Sequence, residues 1–281
     1  MNSSHVQKNT NVLYIRPTNG RLQIKLDELW EYRELLYFLI WRDIKIRYKQ
    51  TAIGASWAIL QPVISMVIFS AIFSNFAKLP SDGLPYPVFS YAALLPWTYF
   101  SQAIQRSSAS LVSNGSMIKK VYFPRLIAPL SAALAPLVDF AIAFVVLIGM
   151  MVWYGTTPTI GVLFLPGFLL LAFLTALGVG LFSSALNVKY RDVGHAMPFI
   201  MQVWMFASPV VYSVSIIPEQ WRLLYGLNPM AGVIEGFRWA LLGTGQPDFG
   251  VMAMSGIVVV GLMVWGLAYF RKVERSFADV I

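Results

Sequence analysis

The stretch LIAPLSAALAPLVDFAIAFVVLIGMMVWYGTTPTIGVLFLPGFLLLAFLTALGVGLFSSALNVK, Leu126 to Lys189, carries one charge, Asp139, before the lysine that closes it. A hydrocarbon core about 30 Å thick is crossed by roughly 20 apolar residues of helix, so the run is too long for a single crossing. The turn-rich segment YGTTPT, Tyr154 to Thr159, divides it in two. Gln50 to Ala77, Gly83 to Gln105, Val193 to Pro218 and Phe249 to Phe270 are comparably free of charge. Lipid offers no hydrogen-bond partners, so a segment in it satisfies its own backbone by forming a helix. The chain reads as an all-α polytopic membrane protein.

Composition agrees, with 57% hydrophobic and 12% charged residues, against about 25% charged in soluble domains. Six transmembrane helices are expected, at about Ala55 to Ala77, Val88 to Val112, Leu126 to Trp153, Ile160 to Leu186, Met197 to Tyr212 and Val251 to Phe270. An even number places both termini on one side. If that side is the cytoplasm, it holds nine Lys or Arg in residues 1–50, three from Ser113 to Arg125, Lys189 with Arg191, and Arg271, Lys272 and Arg275. Lys78, Arg222 and Arg238 fall outside, and Arg106 lies near the inner end of the second span. The positive-inside rule selects this orientation. The net charge of +8 thus reads as topology and calls for no nucleic acid. Without cysteine, and with only His5 and His195, neither a disulfide framework nor a histidine-built metal centre is expected.

Residues 1–25 are polar, lack the apolar core of a signal peptide and read as a mobile cytoplasmic tail. Residues 26–51 mix apolar and charged side chains at helical spacing, with Asp27, Glu28 and Glu31 first and Lys45, Arg47 and Lys49 last, which suits the helix dipole. This amphipathic helix should lie in the interface with its bases near anionic membrane lipid, either as an anchor or also as a wall for a protein partner. Residues 52–281 form the six-span domain. Between spans five and six, Pro218, Gly226, Asn228, Pro229 and Gly243 delimit two short helices, Pro218 to Tyr225 and Pro229 to Leu242. They are too short to span and must be re-entrant or interfacial.

No Gly-Lys dipeptide occurs, which excludes a P-loop, and neither Gly178-Val179-Gly180 nor Gly243-Thr244-Gly245 continues as a dinucleotide fingerprint. Asp139 is the one firm ionisable group inside a span; it is either functional or paired with Arg106 or a helix terminus. Ion coupling has little to stand on. On the first span Gln61, Ser65, Phe69 and Phe73 share a face, as do His195, Phe199, Gln202, Phe206 and Ser213 on the fifth. Polar and aromatic side chains on one face suit the lining of a channel. Alternatively they sit at interfaces or cement helices.

Four segments together, RYKQTAIGASWAILQP (Arg47 to Pro62), MIKKVYFPRLIAPL (Met117 to Leu130), LNVKYRDV (Leu186 to Val193) and NPMAGVIEGFRWALLG (Asn228 to Gly243), resemble the membrane subunit of ABC exporters for cell-surface polysaccharides. O-antigen, capsule and teichoic acid permeases belong to that class. The resemblance implies a homodimer working with two copies of a separate ATPase, which holds the ATP and magnesium; this chain itself is no enzyme and carries no cofactor. It also implies a lipid-linked polysaccharide moved outward across the bacterial inner membrane. The coupling helix would be residues 116–124, with Met117, Ile118, Val121, Tyr122 and Phe123 filling an apolar groove of the ATPase and Lys119, Lys120 and Arg125 at its rim. The outer gate would be residues 218–242, with Trp221, Arg222, Glu235 and Arg238; the last two form an ion pair, a hydrogen-bonding rim or a structural staple. Competing readings are a permease of the same fold for a small lipid or drug, an ion-coupled secondary carrier, and a membrane glycosyltransferase, which lacks its expected acidic cluster.

Overall fold

The computed structural model of the chain describes residues 26–49, 56–243, 248–274 and 277. Every regular element among them is helical. The tail of residues 1–25, the junction at 50–55 with the start of the first span, and Thr244-Gly245 lie outside the described residues.

The interfacial stretch forms α1 (Leu26–Glu31) and α2 (Arg33–Lys49). Backbone bonds from Tyr32 to Glu28 (3.2 Å) and from Leu36 to Tyr32 (3.0 Å) carry the helix across the joint. Next comes α3 (Ser56–Phe69), which loosens into a π-helical turn, Ser70–Phe76. There the Ala77 N–H reaches back five residues to the Ile72 carbonyl at 3.0 Å. The third expected span is two helices, α6 (Ile127–Leu134) and α7 (Leu137–Trp153), because Pro136 has no N–H to continue the ladder. A short 3₁₀ turn, Ile160–Phe164, leads into α8 (Leu165–Lys189), and α12 (Phe249–Val273) closes the bundle.

By length and apolarity four helical stretches can cross a membrane: Ser56–Phe76, Ile127–Trp153, Ile160–Lys189 and Phe249–Val273. The second expected span, α4 (Tyr86–Ser113), is long enough but less apolar, and the reason is where it sits. It packs against α3, α6, α7, α8 and the helices Asp192–Phe206 and Pro229–Leu242, with Phe89, Tyr91, Tyr99 and Phe100 fully buried. A helix surrounded by protein does not have to match lipid. The fifth, α9 (Asp192–Phe206), is only 15 residues, about 22 Å at 1.5 Å per residue. Its expected continuation to Tyr212 does not form: helix ends at Phe206, and Pro209 disfavours the helical conformation in the residue before it.

Gly178 and Gly180, which open no nucleotide motif, are packing positions. A β-carbon at Gly266 of α12 would collide with the Gly178 carbonyl, and one at Gly180 would stand 2.6 Å from Ser107 Cβ on α4. The small residues let three helices approach backbone to backbone. The two short helices form as α10 (Glu219–Tyr225) and α11 (Pro229–Leu242). The Asn228 side chain accepts the Met230 N–H at 3.1 Å at the start of α11, and Gly243, at φ +66°, ends it. They differ in kind: α11 is buried against α4, α8 and α12, whereas α10 exposes Trp221, Leu223 and Leu224.

Candidate functional site

At one end of the bundle the loop after α4 forms α5 (Gly115–Lys120), followed by an extended Val121. Phe123, 4% exposed, packs with Leu39 of α2 and Ile127 of α6, and Tyr32, Leu36, Met117 and Ile118 close around them. The interfacial helix therefore braces this loop from behind. What faces outward is Lys119, Lys120, Val121 (56% exposed) and Tyr122 (69%). Beside them a cleft of about 390 Å³ is lined by Gly115, Ser116, Lys119, Lys120, Val188 and Arg191. The turn from α8 to α9 is fixed by Asn187, which donates to the Ser108 carbonyl (2.9 Å) and accepts the Gly194 N–H (3.1 Å).

Two of the expected contact residues are therefore placed differently. Phe123 is enclosed by the protein's own apolar side chains and cannot also fill a partner's groove. Arg125 donates to the Glu274 carbonyl and lies 5.9 Å from the Phe277 ring centroid, which ties the loop to the C-terminal helix. Met117 and Ile118 are half-buried, so the reachable surface narrows to Lys119 through Tyr122.

Asp139 lies in the first turn of α7 and takes an ion pair from Arg47 and a hydrogen bond from Tyr48, both on α2. The pairing with Arg106 expected from sequence is not formed. Arg47 also donates to Gln102 of α4 at 3.1 Å. Burial, and then the neighbouring Arg106 guanidinium, push Arg47 down to about 10. This latch holds the interfacial helix to two helices of the bundle. Sequence reasoning missed it because its members lie 55 and 92 positions from Arg47 to Gln102 and Asp139; the lone carboxylate was the only signal.

The expected channel faces divide. On α9 Met197 and Met201 face the core, while Phe199 (68% exposed), Gln202 and Phe206 (52%) stay together on the open side. On α3 Gln61 is exposed and Ser65 half-buried, but Phe69 and Phe73, edge to face at 5.8 Å, pack on the core. The open face of α3 is instead Trp57, Leu60, Ile64, Val67 and Ile72. Ser213 leaves the α9 face entirely: it is buried beyond the helix and donates to the Asp82 carboxylate at 2.6 Å, as Ser215 does at 3.1 Å.

At the opposite end the unwound segment 207–212 would leave carbonyls without partners, and Arg238 of α11 supplies them. Its guanidinium donates to the carbonyls of Pro209 (2.7 Å), Val210 (2.8 Å), Tyr212 (3.1 Å) and Phe89 (3.2 Å), and it sits 3.5 Å from the Phe89 ring centroid. The Tyr86 hydroxyl donates to the Val211 carbonyl at 2.6 Å, and Tyr225 and Asn228 donate to Ala207 at 3.1 and 3.0 Å. Of the three possibilities for Glu235 and Arg238, the staple is what forms. No ion pair joins them, and Glu235 Oε1 instead accepts the Asp248 N–H at 3.4 Å. Arg222 donates to the Ile217 carbonyl at 3.0 Å, and Trp221 is free on the surface.

A family model described as ABC-2 type transporter matches residues 34–242, from α2 through the end of α11. The chain belongs to the ABC-2 transporter membrane family. Among its ABC-2 relatives, the O-antigen export system permease protein RfbA of Myxococcus xanthus is 28% identical over 259 residues, covering 90% of this chain and 98% of that protein. A Klebsiella pneumoniae protein of the same name is 27% identical over 251 residues, 88% and 95% of the two chains. The polysialic acid transport protein KpsM of Escherichia coli is 25% identical over 249 residues, 85% and 93%. The family match takes in the braced loop after α4 and the Arg238 staple on α11.

Proposed function

We propose that this chain is the transmembrane subunit of an ATP-driven exporter that moves a lipid-linked, O-antigen-like polysaccharide from the cytoplasm across the inner membrane. The near-full-length similarity to permeases named for O-antigen export and polysialic acid transport supports the cargo class. The observation that carries the drive is the Lys119–Tyr122 surface, exposed on a loop that α2 holds rigid from behind. A separate ABC ATPase, in two copies, binds there and hydrolyses ATP with magnesium. Contact that differs between the ATPase's two states shifts the population of open and closed channel.

In this reading the bundle crosses six times, with α4 and α9 as the second and fifth spans, both termini cytoplasmic and α10 with α11 at the outer mouth. The open faces of α3 and α9 meet a second copy of the chain, and Phe199, Gln202 and Phe206 with Gln61 border the path between them. Purification in mild detergent tests the scheme: an ATPase should accompany the chain at equal stoichiometry, and a deletion strain should lose surface glycan. A lone chain together with undiminished glycan would overturn it. Replacing Phe206 separates a conduit from a small-lipid flippase, because only a conduit should then lose long glycans more than truncated ones.

A further inference from the structure

The segment that follows α9 is gripped in two different ways. Residues 209–212 are fixed from inside the bundle by Arg238 and Tyr86, both buried. The next turn is gripped from outside: one oxygen of the Asp82 carboxylate accepts the Ser213 hydroxyl at 2.6 Å and the other accepts the Ser215 hydroxyl at 3.1 Å. Asp82 and Ser215 are exposed. Arg222 of α10 donates to the Ile217 carbonyl at 3.0 Å, which ties this turn to α10. A hydrogen bond at the surface exchanges for one to water at little net cost, whereas a buried carbonyl has no such substitute. The outer grip can therefore open where the Arg238 grip cannot.

Asp82 belongs to the loop 77–85 that joins α3 to α4, and the backbone there is strained. Lys78 (φ +49°) and Asp82 (φ +51°) both hold the left-handed conformation that a β-carbon disfavours, with Gly83 at +81° beside them. Behind the loop, α3 has already given up its ordinary ladder for the π-helical turn Ser70–Phe76. Left-handed residues persist where other contacts over-determine them, and such strain and π-turns cluster at segments that switch. Asp82 is both a strained residue and the one that reaches across the chain to residues 213–215.

We propose that Asp82, Ser213 and Ser215 form a releasable latch that closes the outer mouth by holding the first span's outer loop against the turn that leads into α10. The latch rests on the reading above, in which the path runs beside the open faces of α3 and α9. When the mouth opens, the carboxylate exchanges two hydroxyls for water while Lys78 and Asp82 leave the left-handed region. Lost bonds and relieved strain oppose each other, which keeps the two states close in free energy. The Arg238 staple stays intact throughout.

The chain has no cysteine, so one introduced thiol reports alone. Gln202 is exposed on α9, and Gln202→Cys can be labelled from outside by a membrane-impermeant maleimide in right-side-out vesicles. Vesicles loaded with ATP should label faster than empty ones; no such rise would sink the path reading on which the latch rests. In empty vesicles, adding Asp82→Ala should speed labelling about tenfold, the population shift produced by losing one charge-assisted hydrogen bond. Asp82→Asn, which keeps one acceptor oxygen, should fall between, and Gln220→Ala, exposed on α10 outside the latch, should match the parent. Given the rise with ATP, equal rates for Asp82→Ala and its parent would overturn the latch itself. If Asp82→Ala does not fold, Asp82→Cys with Ser215→Cys decides: bridging the pair with a short reducible bis-thiosulfonate should stop export of surface glycan, and reduction should restore it. Undiminished export through the bridged protein would sink the latch.

Discussion

Arg238 and the Lys119–Lys120 pair were both legible as cations near the ends of a membrane bundle, yet the fold treats them in opposite ways. Arg238, 4% exposed, directs its donors to three carbonyls of an unwound segment and one of α4, and rests on the Phe89 ring. Lys119 and Lys120 project from a braced loop into the open. Where helix fails, the backbone itself demands donors, and a charged side chain is consumed in meeting that demand. Where the backbone is already satisfied, a charge is left over for something outside the chain.

Breaking the staple should have the largest effect. Arg238→Met leaves several buried carbonyls unpaired at about 1–3 kcal/mol each, so we expect a loss of at least about 3 kcal/mol and little folded protein by size-exclusion chromatography. Arg238→Lys should recover only part of it, since one ammonium cannot reproduce the fork. At the other end, Phe123→Ala should cost about 3 kcal/mol and loosen α2 where it braces the loop, while the Arg47–Asp139 latch still holds its C-terminal end, read as faster proteolysis in the first half of α2. Gly266→Val forces α12 off α8 at about 1–3 kcal/mol, seen as a lower melting temperature in detergent. Reversing both Lys119 and Lys120 to Glu should change stability by no more than about 0.5 kcal/mol while separating ATP hydrolysis from export. Normal export in that double variant would remove the loop's proposed role, and would bring the two ends of the molecule closer in kind.

The helical periods, the short pair α10 and α11 with their Asn228 and Gly243 caps, and the dipole-matched interfacial helix were all readable because they depend on residues within a turn or two of each other. The site was readable only in part. Phe123 and Tyr122 are adjacent aromatics in one basic loop, and nothing local distinguishes the one enclosed by Leu39 and Ile127 from the one left exposed. Ser213 continues the spacing of the α9 face in sequence, but the helix stops at Phe206 and carries it to Asp82. Phe69 and Phe73 keep helical spacing with Gln61 and still turn inward, because α3 touches the bundle along that side.

From the sequence alone came the membrane, the helical class and the likeness to polysaccharide exporters, since apolar length, turn residues and charge placement act locally and survive without a partner. The tertiary structure decided which charges are satisfied. Arg47 with Asp139, Asp82 with Ser213, and Arg238 with its carbonyls join residues far apart in the chain, and the strength of such contacts lies in angstrom-scale geometry that no spacing rule contains.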